Sequence, residues 1–209
     1  MCFTGRAEGD LRPVPPSGAA RLSGLAGRPV SWLRQVHGNR VVVVGPEPVE
    51  GDDGDSLVTT SPDAVLAVLT ADCAPLALGS PEGVVAAVHA GWAGLAEGVV
   101  ERAVDVMRAL GATRVEGALG PCVHAGCYEF GATDLDRVAA ALGPTVRAVT
   151  GAGAPALDLP AGVRAALTRA GATLVWDADA CTACEADRLY SHRARRDGER
   201  QAMLVWKHA

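Results

Sequence analysis

The stretch AVLAVLTADCAPLALGSPEGVVAAVHAGWAG, residues 64–94, carries the clearest sign of a buried sheet. It contains two nearly continuous apolar runs, and the first is interrupted only at Asp72-Cys73 and Pro75. Short runs of Val, Leu and Ala closed by turn residues read as strands buried on both faces. The pattern predicts two strands within 64–78 with polar groups at their junction, and a third, in 83–94, that ends at His89 and a glycine turn. Working outward, SWLRQVHGNRVVVV (31–44) reads as two strands around a turn at Gly38-Asn39. Further strands are predicted at 115–119, 146–150, 173–176 and 201–206. Helical spacing runs over 95–110, 133–142 and 160–171. The first stops before Gly111, the second starts at Thr133 or Asp134 and stops at Gly143-Pro144, and the third is bounded by Pro160 and Gly171. Residues 1–29 read as a loop-dominated lead-in, and EPVEGDDGDS (47–56) as a solvated acidic turn. Hairpin strands with intervening helices predict an α/β (α+β) protein, mixed β-sheets covered by helices, in one domain over 1–209.

Composition narrows the function classes. The 209 residues are 49% hydrophobic and 21% charged, which is not the signature of a disordered chain. A chain of this size buries roughly 70% of its unfolded surface, enough for a core without disulfide staples. A net charge of -5 argues against nucleic-acid binding. Of the basic residues only Lys207 is lysine, and arginine is the better fork for phosphate where it lines a pocket. The longest apolar stretch, 84–100, is interrupted by His89 and Glu97, so no membrane span is expected. The start, MCFTGRAEGD, has no apolar signal core, which predicts a cytoplasmic location and six cysteines serving as thiols, ligands or nucleophiles.

Three metal-type ligands sit where an apolar run meets a turn: His37, Cys73 and His89. Two imidazoles and one thiolate around zinc leave the fourth position open, the mark of a catalytic site, and acidify a bound water. The bland alternatives are a hydrogen-bonded histidine and a small buried thiol. The remaining chain pairs Cys122 with Cys127 and sets Cys181 and Cys184 as C-x-x-C, with His124 nearby. Such spacing without a histidine pair does not by itself support a four-thiolate zinc site.

Taken together, QVHG (35–38), TADCAP (70–75), HAGW with Gly94, GPC…CYEF (120–130) and CT…LYSHR (181–193) resemble the YfiH/DUF152 family. That family is variously called multicopper polyphenol oxidoreductase, laccase-domain protein or purine nucleoside phosphorylase. The match runs in order over nearly the whole chain. The resemblance implies a layered αββα sandwich, with His37, Cys73 and His89 holding one zinc per chain. It also implies phosphorolysis of adenosine, inosine, guanosine and methylthioadenosine, together with adenosine deamination. Cys73, His89 and Asp72 are then the candidate catalytic residues, Asp72 as proton shuttle or as a group orienting a ligating histidine. Arg6, Arg193 and Arg200 fall in matched segments and are candidate binders of substrate or phosphate. Trp92, Tyr128 and His192 are candidate pocket walls. The expected partners are a nucleoside and phosphate, acting on a monomer or weak homodimer. Ala93 stands where the family often has arginine, and Glu199 replaces the glycine of a Gly-Arg pair.

Three competing readings share these residues. A copper polyphenol oxidase is possible in outline because His2Cys is also a blue-copper set, yet five histidines are too few for a laccase's additional trinuclear cluster. A metal-free hydrolase would use Cys73 as nucleophile and His89 as base. A metal-stabilised binding module would turn over nothing.

Overall fold

The computed structural model describes residues 1–13 and 18–207. Among the described residues the strands are β1 (Cys2–Phe3), β2 (Val30–Arg34), β3 (Val41–Val44), β4 (Glu50–Asp53), β5 (Ser56–Thr59), β6 (Val65–Thr70), β7 (Ala74–Gly79), β8 (Val85–Ala90), β9 (Glu116–Leu119), β10 (Arg147–Val149), β11 (Pro155–Leu157), β12 (Thr173–Asp177) and β13 (Gln201–Trp206). One mixed sheet has the order β1-β13-β6-β2-β4, and a second the order β12-β9-β7-β8-β5-β3. The strands β10 and β11 form a separate antiparallel hairpin.

Strand alternation builds three apolar interfaces between four layers. In β6, Val65, Ala67 and Leu69 point to one side, where they meet Leu22 of helix α1 (Gly18–Ala26). Leu66 and Val68 point to the other side and pack between the sheets against Leu57, Ala87, Met203 and Val205. In β8, Ala86, Val88 and Ala90 face away from the first sheet. They pack with residues of α2 (Trp92–Ala96), α3 (Val99–Ala109), α4 (Ala132–Leu142) and α5 (Leu159–Arg169). The result is the αββα sandwich, and coverage on both faces explains why β6 and β8 are apolar along their length. Each fully buried leucine in these layers, such as Leu66 or Leu76, contributes about 1.5–3 kcal/mol.

Several local expectations are corrected. The two strands around Gly38-Asn39 form, but β2 and β3 join different sheets, so 35–40 is a crossing between layers. The single helix expected over 95–110 is two, because Gly98 takes a left-handed conformation (φ 81°) between α2 and α3. The second helix starts at Ala132 behind Gly131, whereas Asp158 caps α5 by accepting from the Ala161 N–H at 2.9 Å. The lead-in holds β1 and α1. The acidic segment is strand β4, followed by a buried carboxylate at Asp55. Strands β5 and β11 and the short helix α6 (His192–Arg195) had no prediction. Among the described residues no helix is long and apolar enough to cross a membrane.

Candidate metal centre and its cavity

The two sheets meet at a cluster of three side chains. His37 follows the end of β2, Cys73 lies in the turn from β6 to β7, and His89 is near the end of β8. Their ligand atoms all lie within 4.8 Å of one another. The Cys73 Sγ to His37 Nε2 distance is 3.8 Å, and the two imidazoles meet edge to face at 4.9 Å between centroids. Zinc bonds of about 2.3 Å to sulfur and 2.0–2.1 Å to nitrogen at tetrahedral angles put those two atoms about 3.6 Å apart. The donor set therefore fits a zinc ion, with a fourth position left over.

Backbone and side-chain hydrogen bonds hold these ligands in place. Gln35 locks the end of β2 to β6, donating from Nε2 to the Leu69 carbonyl (2.7 Å) and accepting the Leu69 N–H at Oε1 (2.8 Å). The next three N–H groups, of Val36, His37 and Gly38, all donate to Asp55, at 3.3, 2.9 and 2.8 Å. His37 itself has φ 60°, a conformation that this anion-binding turn imposes. Asp55 Oδ1 also accepts from His89 Nδ1 at 2.9 Å. That bond fixes the tautomer with its proton on Nδ1 and leaves the Nε2 lone pair for the cluster. Gly91 makes the approach possible: a Cβ there would stand 2.9 Å from His37 Cδ2 and 3.3 Å from Cys73 Sγ.

The charges reinforce one another. Burial pushes the Cys73 thiol up, but the His89 charge and the His37 hydrogen bond outweigh it and bring it to about 6. Burial likewise pushes His89 down, while the Cys73 thiolate and the Asp55 hydrogen bond lift it to about 9. Asp55 is held below its ordinary value because its bonds from His89 and Gly38 outweigh its burial. Sequence reasoning missed Asp55. The available signal was its position directly before the apolar β5, a strand boundary like those of Cys73 and His89.

Asp72 has φ 103°, costly for a residue other than glycine, and its carboxylate explains the strain. Oδ1 accepts from Thr182 Oγ1 and Ser191 Oγ, each at 2.6 Å, and Oδ2 accepts from the Arg193 N–H at 2.5 Å. Three of its roughly four acceptor positions are filled by these donors, so its geometry is that of an anchor more than of a proton shuttle.

A cavity of about 730 Å³ opens over the cluster. Arg12, Arg34, Arg193 and Arg200 line it, as do His192 and the aromatic faces of Trp32, Trp92 and Tyr128. The Arg193 guanidinium lies over Tyr128, 4.8 Å from the ring centre. Two buried polar atoms of lining residues, Trp32 Nε1 and Thr70 Oγ1, have no hydrogen-bond partner among the described residues. Arg6 is placed elsewhere. Its guanidinium pairs with Asp197 at 2.5 Å and stacks on Tyr190, and it does not line this cavity. Arg12 and Arg34, which line it, were not singled out in the sequence.

Fold and cluster together define a class: mixed two-sheet sandwiches with a His-Cys-His centre where the sheets meet. Within it, the chain belongs to the multi-copper polyphenol oxidoreductase laccase family, whose profile matches residues 17–208. A protein named purine nucleoside phosphorylase in Mycobacterium tuberculosis is 42% identical over 205 residues, spanning 95% of this chain and 81% of its own. One of the same name in Streptomyces coelicolor is 43% identical over 195 residues, spanning 90% and 79%. The crystal structure of a Neisseria meningitidis DUF152 protein superposes with a TM-score of 0.84 at 27% identity, over 100% of this chain and 91% of that one. YlmD from Geobacillus stearothermophilus superposes with a TM-score of 0.82 at 25% identity, over 96% and 85%.

Proposed function

We propose that this chain is a zinc-dependent purine nucleoside phosphorylase, with His37, Cys73 and His89 as the ligands of one zinc ion. The observation that carries the reading is the placement of this cluster in a cavity lined by four arginines and three aromatic rings. Arginine is concentrated there although the chain as a whole carries -5. The volume lies within the range of small-molecule sites. Two relatives that this chain covers over about four-fifths of their length carry the name purine nucleoside phosphorylase.

Phosphorolysis breaks the C1′–N bond of the nucleoside, joins a phosphate oxygen to C1′ and sends the bonding electron pair to the departing base. The chain must hold an anion below the sugar and a flat base beside it. Arg193 and Arg200 are the first choice for the phosphate; Arg12 and Arg34 also line the cavity but are already paired with Asp10 and Asp53. Trp32, Trp92 and Tyr128 offer ring faces and edges to the purine. Asp72 positions the Arg193 backbone, so the guanidinium starts from a fixed root. His37, Cys73 and His89 would hold the ion, which when bound would supply Lewis-acid chemistry. Adenosine, inosine, guanosine and methylthioadenosine share the bond that breaks and are the substrates to compare. Adenosine deamination, the other expected activity, needs a proton carrier, and the three bonds on Asp72 favour another residue for that role.

The test is a chromatographic assay of the four nucleosides with and without phosphate, for wild type and Cys73→Ala side by side. Free base formed only with phosphate and only by wild type is the expected result. No base from any nucleoside ends the proposal, and equal product from both proteins assigns it to a contaminant. Inosine from adenosine without phosphate scores the deaminase arm separately. The copper-oxidase alternative is disfavoured by ligand supply: among the described residues the second candidate metal cluster contains no histidine. Cytoplasmic action on a nucleoside by a monomer or weak homodimer completes the proposal.

A further inference from the structure

A second group of potential ligands lies outside the cavity. Cys127, Cys181 and Cys184 come from two segments far apart in sequence, and their sulfurs all lie within 4.8 Å of one another. Cys127 Sγ is 3.5 Å from Cys184 Sγ. A disulfide needs about 2.0 Å between sulfurs. Thiolates around one zinc, each at about 2.3 Å and at tetrahedral angles, stand about 3.8 Å apart. The observed spacing is that of co-ligands.

The local backbone also favours a thiolate at Cys181. The His124 N–H donates to Cys181 Sγ at 3.4 Å, and Cys184 N–H closes the C-x-x-C turn onto the Cys181 carbonyl at 3.1 Å. Backbone pairing of Cys122 with Cys181, an isolated parallel β-bridge, joins the two segments. The cation of Arg195 is seated on the same turn, donating to the carbonyls of Thr182 (3.1 Å) and Ala183 (3.0 Å). The same guanidinium pairs with Asp197 at 3.2 Å, so it braces the turn. Cys184 is exposed and Cys127 half-buried, so an ion has a path in.

We infer that Cys127, Cys181 and Cys184 form a second metal site, taking a thiophilic ion of the zinc class with three thiolates and one exchangeable position. The spacing of the cysteines alone does not support a four-thiolate site. The fold restores a three-thiolate one and leaves Cys122 out, since that thiol is buried in the core beneath the helices. The site has a structural consequence for the cavity. Thr182, inside the C-x-x-C turn, holds Asp72, and Tyr128, next to Cys127, carries Arg193. An ion bridging the two segments therefore pins one wall of the cavity.

Full-length protein, purified with reductant, loaded with Zn2+ and desalted, is the material for the test. Wild type is expected to hold two zinc ions per chain, Cys127→Ser/Cys184→Ser one, and Cys73→Ala one. A count of one in wild type that Cys127→Ser/Cys184→Ser leaves unchanged refutes the second site without touching the first. Iodoacetamide footprinting on Cys73→Ala needs no change at the second cluster. Zn2+ should slow alkylation of Cys127 and Cys184 at least tenfold, read peptide by peptide, and equal labelling with and without Zn2+ overturns the inference. Recovery of Cys127 and Cys184 as a disulfide in the reduced preparation also overturns it. Loss of nucleoside turnover has no bearing on these readouts.

Discussion

Replacing Asp55 by asparagine tests the centre at its support. Asp55 is fully buried, and each oxygen takes two donors: Oδ1 those of His37 N–H and His89 Nδ1, Oδ2 those of Val36 and Gly38 N–H. An asparagine keeps one acceptor oxygen and turns an NH2 toward whichever pair it abandons, so two donors lose their acceptor in either flip: the part-buried Val36 and Gly38 N–H groups, or the part-buried His37 N–H with the buried His89 Nδ1. Each unsatisfied buried donor costs about 1–3 kcal/mol, which gives about 2–6 kcal/mol for the pair. For a domain of this size about 1 kcal/mol moves Tm by roughly 2–4 °C. Taking about 4 kcal/mol, metal-free Asp55→Asn should melt roughly 8–16 °C below wild type. Losing the partner that orients His89 should also weaken zinc binding about 10–100-fold in a chelator competition. Glu97→Gln, which breaks an exposed pair with Arg137, serves as the control and should cost at most about 1 kcal/mol. Melting of Asp55→Asn within the control's range, with unchanged zinc affinity, would mean that Asp55 neither supports the 36–38 turn nor fixes His89.

Further expectations concern the ligands and the cavity wall. In metal-free protein the alkylation rate of Cys73 should titrate with a midpoint near 6, against 9.0 for an ordinary thiol, and a midpoint near 9.0 refutes the thiolate assignment. The depressed thiol favours folding above its ordinary value and loses that contribution as pH falls through about 6. The raised imidazole of His89 favours folding below 6.5 and loses it as pH rises through about 9. Folded and unfolded chains thus lose one proton near 6 and one near 9, from opposite residues, so Tm should be nearly flat between those values even though the charges have moved. Gly91→Ala should push the His37 ring away and cut zinc affinity at least tenfold with little change in secondary structure, and unchanged affinity would contradict the tight approach. Arg193→Ala removes the guanidinium but keeps the N–H that Asp72 accepts, so it should raise the KM for phosphate about tenfold or more while leaving Tm within about 3 °C. A KM unchanged for phosphate takes Arg193 out of the binding role.

The layers were legible wherever an element declares itself along the chain. Strands β6, β7 and β8 are apolar on both faces because both are covered, and that signal is local. The three ligands were legible for the same reason, each standing where such a run meets a turn. What could not be read depends on contacts across the chain. Strand β5, four residues long, takes its place from pairing with β8 and β3 on either side. Asp55 looks like one acid among several in 47–56, and only the return of the 36–38 turn and of β8 reveals it as the most buried of them. The break at Gly98 was hidden because a continuous apolar stripe over 95–110 outweighs one glycine in any periodicity count. Arg6 shows the converse: a match in sequence placed it in the site, whereas its partner Asp197 holds it outside the cavity.

The position of the centre in the sandwich has a mechanical consequence. His37 is carried by the first sheet, His89 by the second, and Cys73 by the turn in which the chain passes from one to the other. An ion bound by all three is a cross-link between layers that otherwise meet through apolar side chains such as Leu57, Leu66 and Ala87. The proposed thiolate site lies on the neighbouring wall and reaches the same turn through Thr182 and Asp72. Metal binding at the centre should therefore stabilise the fold by mass action, about 4 kcal/mol at a thousandfold excess over Kd, and raise Tm by roughly 8–16 °C. His37→Ala, which removes the ligand carried by the first sheet, should abolish that rise while lowering the metal-free Tm by only about 2–4 °C, because His37 is exposed. If zinc raises the Tm of His37→Ala as much as that of wild type, the ion is not held across the sheets at these three residues.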